Sequence, residues 1–261
     1  MSALPIDAGR VVRGRIRPPG SKSMANRFLV LAAGASGTST IEGLPDGDDV
    51  QRMLAGIEAL GAEVERSDRS TVTIVGLGGP PAVDARIDAS ASGTTMRFLT
   101  AFAATGSGDV ELDGTPRMRD RPIGHLVDAL ASLGVRVTQL GASGFPPLAA
   151  RGPMSGGTVR VDASVSSQFT TAMLLAAPHA TSDLTVGPAG AVVSRPYLQA
   201  TLDALRAFGI DADETSDGWR ISAGAYAAQH VVVEPDASAA VYPWVGAAMT
   251  GGNVIVEGLT R

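Results

Sequence analysis

The chain has 261 residues, of which 44% are hydrophobic and 18% charged, with a net charge of −5. Those numbers leave ample material for a buried core and exclude wholesale disorder. The acidic balance argues against nucleic acid as a partner. The absence of cysteine removes disulfides, thiolate metal sites and thiol nucleophiles together.

The N-terminal stretch MSALPIDAGRVVRGR has no apolar run of signal-peptide length, and no later stretch reaches membrane-spanning length. The pattern is that of a soluble cytoplasmic protein. In chain order, SKSMANRFLVLAAGA from residue 21 predicts a first helix, and LAGIEALGAEVE (54–65) a second that runs into a short strand. STVTIVG (70–76) predicts a further strand. The series then restarts. SGTTMRFLTAFAA (92–104) and LVDALASLGVRVT (126–138) are the next two helices, followed by GTVRVDA (157–163) as a strand. It restarts again with SSQFTTAMLLAAP (166–178), LQATLDALRAFGIDA (198–212) and HVVVEPD (230–236). AAVYPWVGAAM (239–249) opens one more round.

These restarts are a repeat. Asp-Ala-Ser recurs at 88–90, 162–164 and 236–238, each 74 residues from the next. The second helix of each round ends at a glycine, Gly61, Gly134 or Gly209, as a left-handed C-terminal cap favours. The expected class is α+β, built from repeated βαβαββ units. Three units extend to about residue 235, with STVTIVG, GTVRVDA and HVVVEPD completing them, and a fourth begins after that.

Polar residues gather where the first helix of each round starts. GSKSMANR (20–27) holds the only lysine of the chain, Lys22, against twenty arginines; SASGTTMR (90–97) and SVSSQFTT (164–171) stand at the same phase. One such cluster is ordinary helix capping. Three in register point to a shared anion-binding surface, since helix N-termini present unpaired N–H groups and a positive dipole end. Ahead of the second helices, Arg121-Pro122 and Arg195-Pro196 set an arginine before a proline at the first turn. Arg121 is the better ligand candidate, and Arg117 and Arg119 read as solvated. GSKS is no nucleotide P-loop, because serine rather than glycine precedes the lysine. His125 reads as a helix residue, and His179 and His230 as loop or strand positions. No His, Asp and Glu cluster at ligand spacing, so no metal is expected.

PGSKSMANR, SGTTMR, PRMRDRPIGHLVDAL, VSSQF and SRPY, in this order and spacing, resemble the 5-enolpyruvylshikimate-3-phosphate synthase family over nearly all of residues 15–261. The resemblance implies two domains of three units each, with residues 1–17 a strand of the second domain, 18–235 the first domain and 236–261 the start of a truncated second. It implies transfer of the enolpyruvyl group of phosphoenolpyruvate to the 5-hydroxyl of shikimate 3-phosphate, without metal or organic cofactor. Lys22 would touch both substrates and act in catalysis. Ser23 and Arg27 would hold the shikimate carboxylate side, Ser166, Ser167 and Ser194 the shikimate phosphate, and Tyr197 would line the shikimate site. Gly93 and Arg121 would hold phosphoenolpyruvate, with Gln168 between the two ligands. Two residues depart from the family pattern: Ala91 stands where asparagine is common, which weakens the case for full phosphoenolpyruvate affinity, and Phe98 where many relatives have proline.

The family's second-domain groups have no match before Arg261, so little or no turnover is expected of this chain alone. Half of a split enzyme, or a non-catalytic module binding shikimate 3-phosphate or docking a separate second domain, is the alternative. The UDP-N-acetylglucosamine enolpyruvyl transferases share the repeat but lack the Ser-Ser-Gln and RPIGHL stretches in this form.

Overall fold

The computed structural model describes residues 9–190 and 194–259. After strand β1 (Arg13–Ile16), the chain runs through α1 (Lys22–Gly34), β2 (Thr38–Glu42), α2 (Asp48–Ala59), β3 (Glu63–Arg66) and β4 (Val72–Val75). A second round comprises β5 (Ala85–Asp88), α3 (Gly93–Ala103), β6 (Val110–Asp113), the single turn α4 (Pro116–Arg119), α5 (Gly124–Ser132), β7 (Arg136–Gln139) and β8 (Leu148–Arg151). The third has β9 (Gly157–Val161), α6 (Ser167–Ala176), a 3-10 turn (Ala177–His179), β10 (Leu184–Pro188), α7 (Arg195–Ala207), β11 (Ala212–Thr215) and β12 (Gly218–Ile221). The chain closes with β13 (His230–Val232), α8 (Ala237–Thr250) and β14 (Asn253–Val256).

The repeat has a local cause. At each Asp-Ala-Ser, the aspartate carboxylate accepts a hydrogen bond from the serine N–H two residues on: Asp88 with Ser90, Asp162 with Ser164 and Asp236 with Ser238, each at 2.8 Å. This side-chain turn ends a strand and aims the chain into a helix. In the first two copies the helix then waits for a second cap, Ser92 or Ser166. In the third, Asp236 is itself the cap and α8 begins at Ala237, earlier than the phase of the repeat predicts. At the other end of the units, Gly61, Gly134 and Gly209 adopt φ of 103°, 81° and 80°, which a residue with a Cβ takes up only under strain.

Three four-stranded sheets share one order, β13-β2-β4-β3, β5-β6-β8-β7 and β9-β10-β12-β11, with the first pair parallel and the others antiparallel. The opening strands are exchanged, which corrects the simple unit reading. β1 does not join the unit it precedes; it pairs in parallel with β14. β13 takes its place beside β2, so HVVVEPD closes the first sheet, and GTVRVDA opens the third unit rather than completing the second. Of the N-terminal segment 1–17, residues 1–8 lie outside the described part. The two crossing segments are tied backbone to backbone, Ser21 N–H to Glu234 O and Asp236 N–H to Pro19 O, both at 2.8 Å.

Strands such as β2, β6 and β8 alternate buried with half-buried positions, so each sheet covers the core with one face and turns the other toward solvent. Inside lie α1, α3 and α6. α3 buries every residue from Gly93 to Ala103, and α1 is buried from Ala25 to Gly34. Such all-round burial suits helices without an amphipathic stripe. Small residues permit the close approach: a Cβ on Gly56 would lie 2.2 Å from Leu99 Cδ1 of α3.

Candidate active site

The inner helices start at one place. The first turns of α1, α3 and α6 meet those of α7 and α8 around a cavity of about 840 Å³. Serine caps three of them: Ser21 accepts from Met24 N–H at 3.4 Å, Ser92 from Thr95 N–H at 3.3 Å, and Ser166 from Gln168 N–H at 3.2 Å. None of α1, α3, α6, α7 or α8 carries an acidic residue in its first turn. The dipole ends of α1, α3, α6 and α7 are therefore left positive toward the cavity, which favours an anionic ligand, whereas that of α8 already meets the Asp236 carboxylate.

All ten residues singled out from the sequence line this cavity. Lys22, Ser23 and Arg27 come from α1, and Gly93 with Arg121 from the second unit. Ser166, Ser167 and Gln168 come from the start of α6, and Ser194 and Tyr197 from that of α7. Gly93 and Arg121 explain each other. A Cβ on Gly93 would sit 2.5 Å from Arg121 Nη2, so only glycine leaves the guanidinium room to lie against α3 and donate to Ala91 O at 3.3 Å. Ser194 holds a left-handed backbone, φ 61°, and its side chain caps no helix N–H. Tyr197 is 46% exposed at the rim.

Arg27 is buried, 2% exposed. Its guanidinium donates to Thr201 Oγ1 at 2.9 Å, Ser23 O at 2.6 Å and Tyr197 O at 3.0 Å, tying α1 to the start of α7. Burial lowers its pKa to about 10, against a smaller opposing contribution from Tyr197, so it stays cationic at neutral pH. Arg119 pairs with Asp113 on the surface, consistent with its exclusion as a ligand. His125 starts α5, 3.8 Å from Asp162, and His230 lies on β13. His179 corrects the expectation of a loop or strand. It sits in the 3-10 turn after α6, 6% exposed, its ring 4.5 Å from that of Tyr226.

Three participants escaped the sequence reading. Asp49, in the first turn of α2, lines the cavity and binds Lys22 Nζ at 2.8 Å. Partial burial works to raise its pKa, but hydrogen bonds from Lys22 and Ser92 and the charges of Lys22 and Arg121 outweigh this and hold it below the ordinary value. Nothing in the acidic run DGDD distinguishes this role from ordinary helix-start acidity. Asp236–Ser238 also lines the cavity, and its signal was the third Asp-Ala-Ser. Arg97 is 5% exposed behind the wall, and burial, then the like charge of Arg121, lower its pKa to about 10. The recurrence of Arg27-Phe28-Leu29 as Arg97-Phe98-Leu99 was the clue to it.

The cavity thus presents serine hydroxyls, helix N–H groups, Lys22 and Arg121 to one space; of the acidic residues in its wall, Asp49 is paired with Lys22 and Asp236 caps α8, and Glu234 is the third. That arrangement suits small polyanions and negative charge developing on them.

Comparison with known proteins shows the family. The family model for EPSP synthase (3-phosphoshikimate 1-carboxyvinyltransferase) matches residues 6–261. The 3-phosphoshikimate 1-carboxyvinyltransferase of Serratia proteamaculans is 42% identical over 274 residues, covering 100% of this chain and 62% of that protein. Its counterpart in Cronobacter sakazakii is 44% identical over 256 residues, covering 96% of this chain and 60% of that protein. Among solved structures, EPSP synthase from Acinetobacter baumannii superposes with a TM-score of 0.82 at 27% identity, covering 95% of this chain and 56% of that one. The chain therefore spans about three-fifths of the length of the curated relatives it matches. Matched over residues 6–261 by that family's model and sharing the fold of its solved structures, this protein belongs to the EPSP synthase family.

Proposed function

We propose that the protein serves the transfer of the enolpyruvyl group from phosphoenolpyruvate to the 5-hydroxyl of shikimate 3-phosphate, in the cytoplasm, and that these residues carry mainly the shikimate 3-phosphate half of the site. The observation that carries this reading is the convergence of helix N-termini, serine hydroxyls, Lys22 and Arg121 on one cavity in a member of this family.

Ser166, Ser167 and Ser194 hold the shikimate phosphate, Ser23 and Arg27 the carboxylate side, and Tyr197 covers the ring. Gly93 N–H and Arg121 hold phosphoenolpyruvate, and Gln168 reaches both ligands. The 5-hydroxyl oxygen adds to C2 of phosphoenolpyruvate while C3 gains a proton and the hydroxyl loses one. Loss of a C3 proton and of phosphate then leaves the enolpyruvyl ether. Lys22 stands by the attacking hydroxyl. Its compact ammonium, already shared with Asp49, approaches two ligands where a guanidinium would be held farther off. Residues 18–235 form one domain, and β1 and 236–261 belong to a second, a division supported by the paired crossing segments and the β1–β14 ladder.

The test is calorimetric titration of the chain with shikimate 3-phosphate, beside Lys22→Ala and Ser166→Ala. Saturable binding, weakened about tenfold or more by loss of the serine's phosphate contact, is expected. Absence of binding by a folded chain refutes the half-site. Phosphate release, assayed alone and with the second domain of a relative supplied in trans, separates an enzyme part from a mere binding module.

A further inference from the structure

We propose that Arg97 is a positioning residue that sets the polarity of the Gln168 amide, making Gln168 a hydrogen-bond donor to the bound anion; this rests on the reading of the cavity given above.

Arg97 touches the cavity only through another side chain. Its Nη1 donates to Gln168 Oε1 and its Nη2 to Pro122 O at 3.2 Å, and the guanidinium lies 5.0 Å from the centre of the Phe169 ring. Its Nε–H is buried without a partner, and no acidic side chain of the described residues pairs with it. A guanidinium has donors and no acceptor, so the atom that meets it must be the amide oxygen. The amide nitrogen of Gln168 then faces the other way, and Gln168 is a wall residue of the cavity. Without Arg97 the amide is free to turn either atom to the ligand; with it, only N–H is offered.

The charge points the same way. A buried cation lacking a carboxylate is unfavourable, and Arg121 beside it adds like-charge repulsion. A bound anion relieves both. Arg27, at the corresponding Arg-Phe-Leu of α1 and itself in the cavity wall, shares part of the pattern: it lies 5.6 Å from the centre of the Phe98 ring and holds the Tyr197 carbonyl, as Arg97 holds that of Pro122. What sets Arg97 apart is that it lies behind the wall and one of its bonds ends on a cavity side chain, that of Gln168.

The experiment is a double-mutant cycle on shikimate 3-phosphate affinity, measured by calorimetry and with the melting temperature of each variant recorded. Arg97→Met and Gln168→Ala are each expected to weaken binding about tenfold, as one hydrogen bond to a charged group is lost, and the double variant no further. Arg97→Lys should restore part of the loss. Gln168→Glu keeps the contact with Arg97 and so retains or raises the melting temperature. It turns a carboxylate oxygen to the anion, and affinity should fall by more than about thirtyfold. Additive losses in the cycle, or wild-type affinity in Gln168→Glu, would overturn the proposal; the latter decides the matter even if Arg97→Met does not fold. Wild-type chain that fails to bind, or binds without regard to Ser166→Ala, overturns instead the cavity assignment on which the proposal rests.

Discussion

Helix α3 buries all of its residues, whereas α5, in the same unit, buries only Leu126, Val127, Ala129 and Leu130 and leaves its other face to solvent. The same contrast separates α1 and α6 from α2 and α7. An outer helix shows its polar residues along its length, so its pattern reports which face packs. An inner helix has no exposed side; polar groups that must reach water or a ligand are confined to its ends. In this molecule they are placed at the N-terminal ends, where serine caps and unneutralised dipoles meet the cavity. The inner helices therefore carry both the core and the site, and changes along their bodies should be felt as stability while changes at their starts are felt as affinity.

The largest effect should come from the body. Phe102→Ala removes a fully buried ring from α3, and urea unfolding should show a loss of about 3–5 kcal/mol. A much smaller loss would mean the inner helices are looser than their burial implies. Next is the acid sensitivity of His179. Burial lowers its pKa from 6.5 to about 4 in the folded chain. As pH falls through that window the unfolded chain takes up a proton that the native state refuses, so stability drops with falling pH, by about 3 kcal/mol in all. Denaturant midpoints measured between pH 7 and 4 should show this slope, and His179→Asn should flatten it. The smallest stability change, and the sharpest test of the contrast, lies at the start of α3. In Gly93→Ala the new methyl displaces only the far end of the Arg121 side chain. Stability should move by under about 0.5 kcal/mol, while phosphoenolpyruvate binding in the presence of shikimate 3-phosphate weakens about tenfold.

Much of this was legible from the chain alone because its causes are local. A glycine at φ 81° after α5 and an aspartate bonding two residues ahead depend on a few neighbouring atoms, and the repeat displays them again and again. The clusters at the helix starts were legible for the same reason, since such starts are written in serine, glycine and proline, and all ten expected residues line one cavity; the ligand each would hold was implied by the resemblance alone. What stayed hidden was non-local. The pairing of β2 with β13 rather than β1 cannot be seen in either strand, as both stand at the same phase of the repeat. Asp49 looks like any acid in a helix's first turn until Lys22 is found 2.8 Å away. Arg97 was visible as a recurrence, but its burial behind Gln168 is a property of the packed molecule.

The exchanged strand also orders events during synthesis. β5 finds β6, and β9 finds β10, within their own units, Ala85 opposite Val110 and Gly157 opposite Leu184. Thr40 must wait for His230. Through most of translation the edge of β2 stays open, the kind of edge that recruits wrong partners, while the second and third units can already close. The unit made first is the last to be finished, and a nascent chain halted before residue 230 carries a sheet that no segment of its own can complete.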